Sequence, residues 1–172
     1  MLSTRVRVSG NRRIVESLAA LEDNIGKKIS LLSKILLSDT GVLEDKLHII
    51  LNSVPFLQVI KQTESNQLIF RRTYIIDSNS NRKLVYAYSQ IHANYLPSSI
   101  IDLIRCKKLG LGRILLESHM EIHKEIVTLG YDHRQDGLFR LYKIYNKKRP
   151  IIEVKEIILV TDEELSGVTI LE

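Results

Sequence analysis

The sequence predicts an α+β fold, an antiparallel β-sheet flanked by helices. Three observations predict it. Apolar residues recur first at helical spacing and then at a period of two, the period-two runs are joined by short polar turns, and strand and helix do not alternate regularly. From Ile14 the apolar positions are Ile14, Leu18, Leu21, Ile25, Ile29, Leu32 and Leu36, with Glu16, Glu22, Asp23, Lys27 and Lys28 between them. That spacing makes one or two amphipathic helices covering a core. Ser38, Asp39, Thr40 and Gly41 break the pattern; Val42, Leu43, Leu47, Ile50 and Leu51 restart it as a short helix, which Pro55 closes. Residues 12–52 are therefore the helical part. Period-two runs follow at 56–63, 68–77 and 84–93, separated by Glu64-Ser65-Asn66 and by Ser78-Asn79-Ser80-Asn81, turn chemistry that joins antiparallel hairpins. Leu96-Pro97-Ser98-Ser99 reads as a helix start with proline at a tolerated early position. Leu109-Gly110-Leu111-Gly112-Arg113 reads as a loop before a mixed apolar and charged stretch to Gly130. Two last strands, 139–145 and 151–159, flank Asn146-Lys147-Lys148-Arg149-Pro150. The sheet-rich part is 56–160, and one domain over 1–172 is the expectation for this length.

Composition narrows the function classes. Lys and Arg number 25 against 20 Asp and Glu, a net +5 with pI near 9.3. Arg5, Arg7, Arg12 and Arg13 crowd the start while Asp162, Glu163, Glu164 and Glu172 sit at the end, so a solvated basic tail accounts for much of the excess and no nucleic-acid partner is expected. The single Cys106 excludes an internal disulfide, reads as a packed thiol and fits a reducing, cytoplasmic setting. No apolar run is long enough to span a bilayer, and no membrane partner is expected.

Splitting the strands by parity exposes two charges among apolar residues. On 68–76 the even positions are Leu68, Phe70, Arg72, Tyr74 and Ile76; the odd positions Ile69, Arg71, Thr73 and Ile75 form the half-polar stripe that is expected to meet water. On the last strand Ile152, Val154, Glu156 and Ile158 share a face. A charge turned into an apolar face costs several kcal/mol unless it finds a partner. Arg72 and Glu156 then either pair structurally or reach solvent, or they face a cavity, where the guanidinium holds a ligand carboxylate and Glu156 takes a hydroxyl or a proton.

The ordered blocks Phe70-Arg71-Arg72-Thr73-Tyr74-Ile75-Ile76, Leu84-Val85-Tyr86-Ala87-Tyr88-Ser89, Leu96-Pro97, Leu111-Gly112-Arg113-Ile114-Leu115, Met120-Glu121-Ile122-His123-Lys124-Glu125-Ile126 and Pro150-Ile151-Ile152-Glu153-Val154-Lys155-Glu156 carry a resemblance. Over roughly residues 30–160 the chain resembles the chorismate pyruvate-lyase superfamily, in its archaeal and actinobacterial style. The resemblance implies a helix-flanked antiparallel sheet with an enclosed ligand cavity. It also implies removal of pyruvate from chorismate to leave 4-hydroxybenzoate, with no metal and no organic cofactor. It places the arginine for the ring carboxylate at Arg72, or at Arg71 if the register slips by one, and the glutamate of the last strand at Glu156. The ligand-contacting turn falls on Leu111 and Gly112, with Gly110 where the family has proline, and Thr73 replaces an acidic residue. Arg113, or a backbone N–H near it, is the candidate for the pyruvyl carboxylate, and Glu121 is a secondary candidate.

Other patterns weigh less. In His119-x-Glu121-x-His123 the two histidines, at i and i+4, would share one face if helical, but no third metal ligand is evident. Gly110-Leu111-Gly112 is too short for a dinucleotide or phosphate loop. Tyr86 and Tyr88 line a pocket or form a cross-strand pair. Residues 29–51 look superficially like a helix-turn-helix, yet the second helix opens on Glu44 and Asp45 and offers one lysine, poor equipment for DNA. The alternative to a lyase is a non-catalytic, effector-type domain of the same fold that binds a small aromatic or carboxylate ligand.

Overall fold

The computed structural model describes residues 3–8 and 13–160 of the 172. Seven strands make one antiparallel sheet: β1 (Thr4–Arg7), β2 (Pro55–Ser65), β3 (Leu68–Asp77), β4 (Lys83–His92), β5 (His123–Asp132), β6 (Gly137–Asn146) and β7 (Arg149–Ile158). Their order across the sheet is β1-β5-β6-β7-β4-β3-β2. Five helices accompany it among the described residues: α1 (Ile14–Ile25), α2 (Leu31–Ser38), α3 (Leu43–Leu51), α4 (Ser98–Cys106) and α5 (Leu111–Glu117). The α+β class read from periodicity is the observed one, and no helix among the described residues is long and apolar enough to cross a membrane.

Local chemistry explains most boundaries. Ser30 caps α2 by accepting a hydrogen bond from the Ser33 N–H at 3.1 Å. Gly26 ends α1 in the left-handed conformation at φ 65°, where a side chain would be strained. The Asn66–Gln67 turn between β2 and β3 has both residues at positive φ, the geometry that suits a tight hairpin's twist.

Helices and sheet share one core. Leu18 and Leu21 of α1, Leu36 and Leu37 of α2, Leu47 of α3 and Ile104 of α4 pack with Ile69, Val85, Ile91, Ile126, Leu129 and Val154 of the strands. The strand residues on this face are odd on β3 and β4 but even on β6 and β7. On β3 this reverses the expected parity: Ile69, Arg71, Thr73 and Ile75 are buried, while Arg72 is exposed on the other face. The aromatic stripe that suggested a core instead shields itself by cross-strand contact, Phe70 stacking on Tyr88 at 6.4 Å and Tyr74 meeting Tyr86 at 5.3 Å.

Three further expectations change. The start of the chain is no tail throughout, because Thr4–Arg7 pairs with β5 and Val8 is buried beside it. The stretch from Leu111 onward divides into α5 and β5; His119 and Glu121 lie between them and His123 opens the strand, so the two histidines share no helical face. Cys106 closes α4 with an exposed thiol rather than a packed one.

Candidate functional site

Two adjacent rows of the sheet assemble the site. One runs Thr73, Ala87, Glu156, Arg140 across β3, β4, β7 and β6, and the next runs Arg71, Ser89, Val154, Tyr142 across the same strands. Small Ala87 and Ser89 in the middle strand leave room above them. The α2–α3 turn and the start of α5 lie over that room, and the resulting cavity of about 40 Å³ is lined by both rows except Arg140, together with Gly41 to Glu44, Leu57, Leu111, Gly112 and Lys124. This is space for about three waters.

Glu156 is a fixed carboxylate. Arg140, fully buried, donates from Nε to Oε2 at 2.7 Å and sets Nη2 at 2.7 Å from the same oxygen; the Tyr142 hydroxyl donates to Oε1 at 2.7 Å. Arg140 is held in turn by the Leu36 carbonyl at 2.6 Å and by the Asp39 carbonyl, the free acceptors where α2 ends. Burial works against the Arg140 charge, but Glu156 raises the guanidinium above its ordinary range; burial and the same carboxylate push the Tyr142 hydroxyl well up.

Arg71 is the opposite case. Only 1% exposed, it donates from Nη2 to the Leu109 carbonyl at 2.7 Å, while Nε and Nη1 are buried without a partner. Burial pulls this guanidinium down to about 10, with the charge of Glu44 opposing the shift. An unsatisfied buried donor costs about 1–3 kcal/mol, more when charged, so two on one side chain mark a place that waits for an acceptor.

Lys124 and Glu44 complete the lining. Lys124 Nζ donates to the Gly41 carbonyl at 2.8 Å and sits 4.8 Å from the centre of the Tyr142 ring; burial pushes its amine down despite Glu156. Glu44 stands in the first turn of α3, and burial raises its carboxyl above the ordinary range, opposed by its own N–H and reinforced by Glu156. Outside Gly41, Val42, Gly112 and Lys124 runs an open groove of about 620 Å³, of mixed polar and apolar surface, with His119 and His123 on its wall.

Of the residues singled out in the sequence, Glu156, Leu111 and Gly112 come together at the cavity. Arg72 does not; Arg71 occupies the corresponding inward position, because the register is the one-residue alternative. Arg113 points away, paired with Asp45 at 2.5 Å where both are half exposed. Glu121 is exposed and offers only its carbonyl, to Asn146. Glu156's partner is Arg140 rather than Arg72. Arg140 carried a signal, since Leu138, Arg140, Tyr142 and Ile144 form a stripe with one charge in it. Lys124 and Glu44 carried none, being charged residues on a strand and a helix that read as ordinary surface. Compared with protein-family models and with curated proteins, the chain matches none.

Proposed function

We propose that the cavity binds a small organic carboxylate and that the protein is a chorismate pyruvate-lyase-like enzyme, eliminating pyruvate from chorismate to give 4-hydroxybenzoate. The observation that carries the reading is the Arg71 guanidinium, buried with Nε and Nη1 unpartnered, two strands away from the fixed Glu156 carboxylate on one sheet face. The two N–H groups suit a ring carboxylate held by charge-assisted hydrogen bonds. Oε1 of Glu156 keeps a lone pair after its bond from Tyr142, so the carboxylate accepts a ring hydroxyl without moving. Lys124, not Arg113, is the second cation at the cavity and the group available to a pyruvyl carboxylate. Aromatisation drives this elimination, leaving the protein to hold the dianion in a reactive conformation and to stabilise charge as the C–O bond breaks. A volume of about 40 Å³ is far below the roughly 300 Å³ of a small-molecule pocket, so a ring enters by displacing residues 41–42 or 112 toward the adjoining groove.

Purified protein incubated with chorismate is expected to release 4-hydroxybenzoate and pyruvate in equal amounts. Arg71→Ala and Glu156→Ala each lower kcat/KM on the order of a hundredfold, the worth of a lost charge-assisted contact, whereas Arg72→Ala and Arg113→Ala leave it unchanged. Absence of both products while 4-hydroxybenzoate still binds through Arg71 identifies a carboxylate-binding domain and defeats the lyase reading.

A further inference from the structure

The cavity holds two carboxyl groups with unlike surroundings. Glu156 accepts two hydrogen bonds from two buried side chains and forms an ion pair with one of them. Glu44 has its own backbone N–H and no side-chain donor, although Arg71 faces the same space with two bare N–H groups and the two interact only through space. Glu44 lines the cavity with its carboxyl against Gly110, where a Cβ would meet Oε1.

We propose that Glu44 couples ligand binding at Arg71 to a proton: an organic carboxylate enters together with one proton from solvent, which resides on the Glu44 carboxyl and turns it into a hydrogen-bond donor toward the ligand. The inference rests on the carboxylate-binding reading of the cavity. Without ligand, Glu44 is the carboxyl whose charge acts on Arg71. With ligand present, three carboxylates would share one small space, namely the ligand, Glu44 and Glu156, and like charges so placed cannot all stay ionised. Glu156 is committed to Arg140 and Tyr142, so Glu44 takes the proton. Burial has already moved its carboxyl in that direction. A carboxylic acid kept neutral near pH 7 then serves as a donor to a bound oxygen.

The groups facing Glu44 are Arg71 from β3, Lys124 from β5, Tyr142 from β6 and Glu156 from β7, with Asp45 of its own helix and Arg113 of α5 paired beside it. No histidine lines the cavity. Lys124 is the one competitor, since burial lowers its amine, and Lys124→Met isolates the carboxyl.

Titration calorimetry with 4-hydroxybenzoate as the probe, from pH 5 to 8.5 in buffers of different ionisation enthalpy, reads the proton directly. Wild type and Lys124→Met are expected to take up close to one proton per ligand at the upper end of this range, with affinity falling up to tenfold per pH unit there. Glu44→Gln takes up none, its affinity stays flat with pH, and at pH 8 it binds at least tenfold more tightly than wild type. Glu44→Met repeats the loss of uptake should the glutamine variant fail to fold. Zero uptake in wild type, or uptake unchanged in the Glu44 variants, overturns the inference while leaving the carboxylate site standing. No binding by wild type at any pH removes the carboxylate-binding reading itself and the coupling with it.

Discussion

Arg71 is a stability liability held for a ligand. Its Nε and Nη1 are buried and unpartnered, and its stem alone would pack as well without them. Arg71→Met is therefore expected to raise the unfolding free energy of the ligand-free protein by about 1–3 kcal/mol, the cost of unsatisfied buried donors, and to abolish any rise in stability that millimolar 4-hydroxybenzoate gives wild type. Urea denaturation with and without the compound checks both halves; a destabilised variant would show that the guanidinium is satisfied. Arg140 predicts the reverse. Removing it leaves Glu156 buried with only Tyr142, so Arg140→Met costs about 3–5 kcal/mol in the same assay. Both residues test how far a charge can be read from parity. Arginines at 71 and 72 put one charge on each stripe of β3, and only the three-dimensional partner strands tell which stripe is inward. Phe70 and Tyr74 argued for the wrong side because aromatic rings bury area against each other across strands as readily as in a core. Glu156 was legible because its strand had one plainly apolar face with a single acid in it.

At the scale of elements, legibility followed the strength of the local period. The observed β3, Leu68–Asp77, has the bounds read from the sequence, since strict alternation ends in Asn-rich turns on either side. By contrast β5 was hidden. A register shift between Ile126 and Thr128 interrupts its alternation, and His123, Lys124 and Glu125 open it with polar residues at every position. β1 was hidden for a physical reason of its own: Arg5 and Arg7 are the exposed residues of an edge strand, and charge on an edge blocks pairing with other chains while looking like a tail in the sequence. The junction of these two strands carries a prediction. Gly130 lies opposite Arg5, and a Cβ there would collide with the Thr4 carbonyl and come within 2.6 Å of the Phe139 ring. Gly130→Ala must therefore shift the backbone of β1 or the buried ring, which costs about 1–3 kcal/mol as overpacking does. Hydrogen exchange localises the damage: amides of β1 and β5 lose protection first, and a variant with unaltered exchange there would mean that the ring moves freely.

For the molecule as a whole, the net charge of +5 said little about the site, because the charges that matter are few, inward and set against one another. The fold class survives this because it depends on the order of periods along the chain, whereas the site depends on which side chains from eight separate elements converge. Opposed carboxyl groups also shape the response of the whole fold to pH. Glu22, at the end of α1, is held near 2 by Lys34 at 2.7 Å, by the Ile29 N–H at 2.9 Å and by Lys28 at 3.1 Å. Asp77 is held near 2 by the hydroxyls of Ser53 and Ser80 and by the turn N–H groups of residues 79 and 80. Both values lie below the ordinary carboxyl range, so the stability these groups contribute is complete above about pH 5 and is lost as pH falls toward 2. Glu44 has the opposite sign. Its carboxyl is raised by burial, so folding is favoured while it is protonated and loses that contribution as pH climbs from the ordinary value of 4.5 through the raised one. Ligand-free protein is thus expected to show a stability maximum on the acid side of neutrality, read as the urea midpoint between pH 2.5 and 8. Glu22→Gln or Asp77→Asn flattens the acid limb and leaves the other, while Glu44→Gln flattens the decline toward neutral pH and leaves the acid limb. A decline that persists unchanged in Glu44→Gln would mean that the carboxyl at the cavity titrates as it does in water, and that the space beside Arg71 is wet.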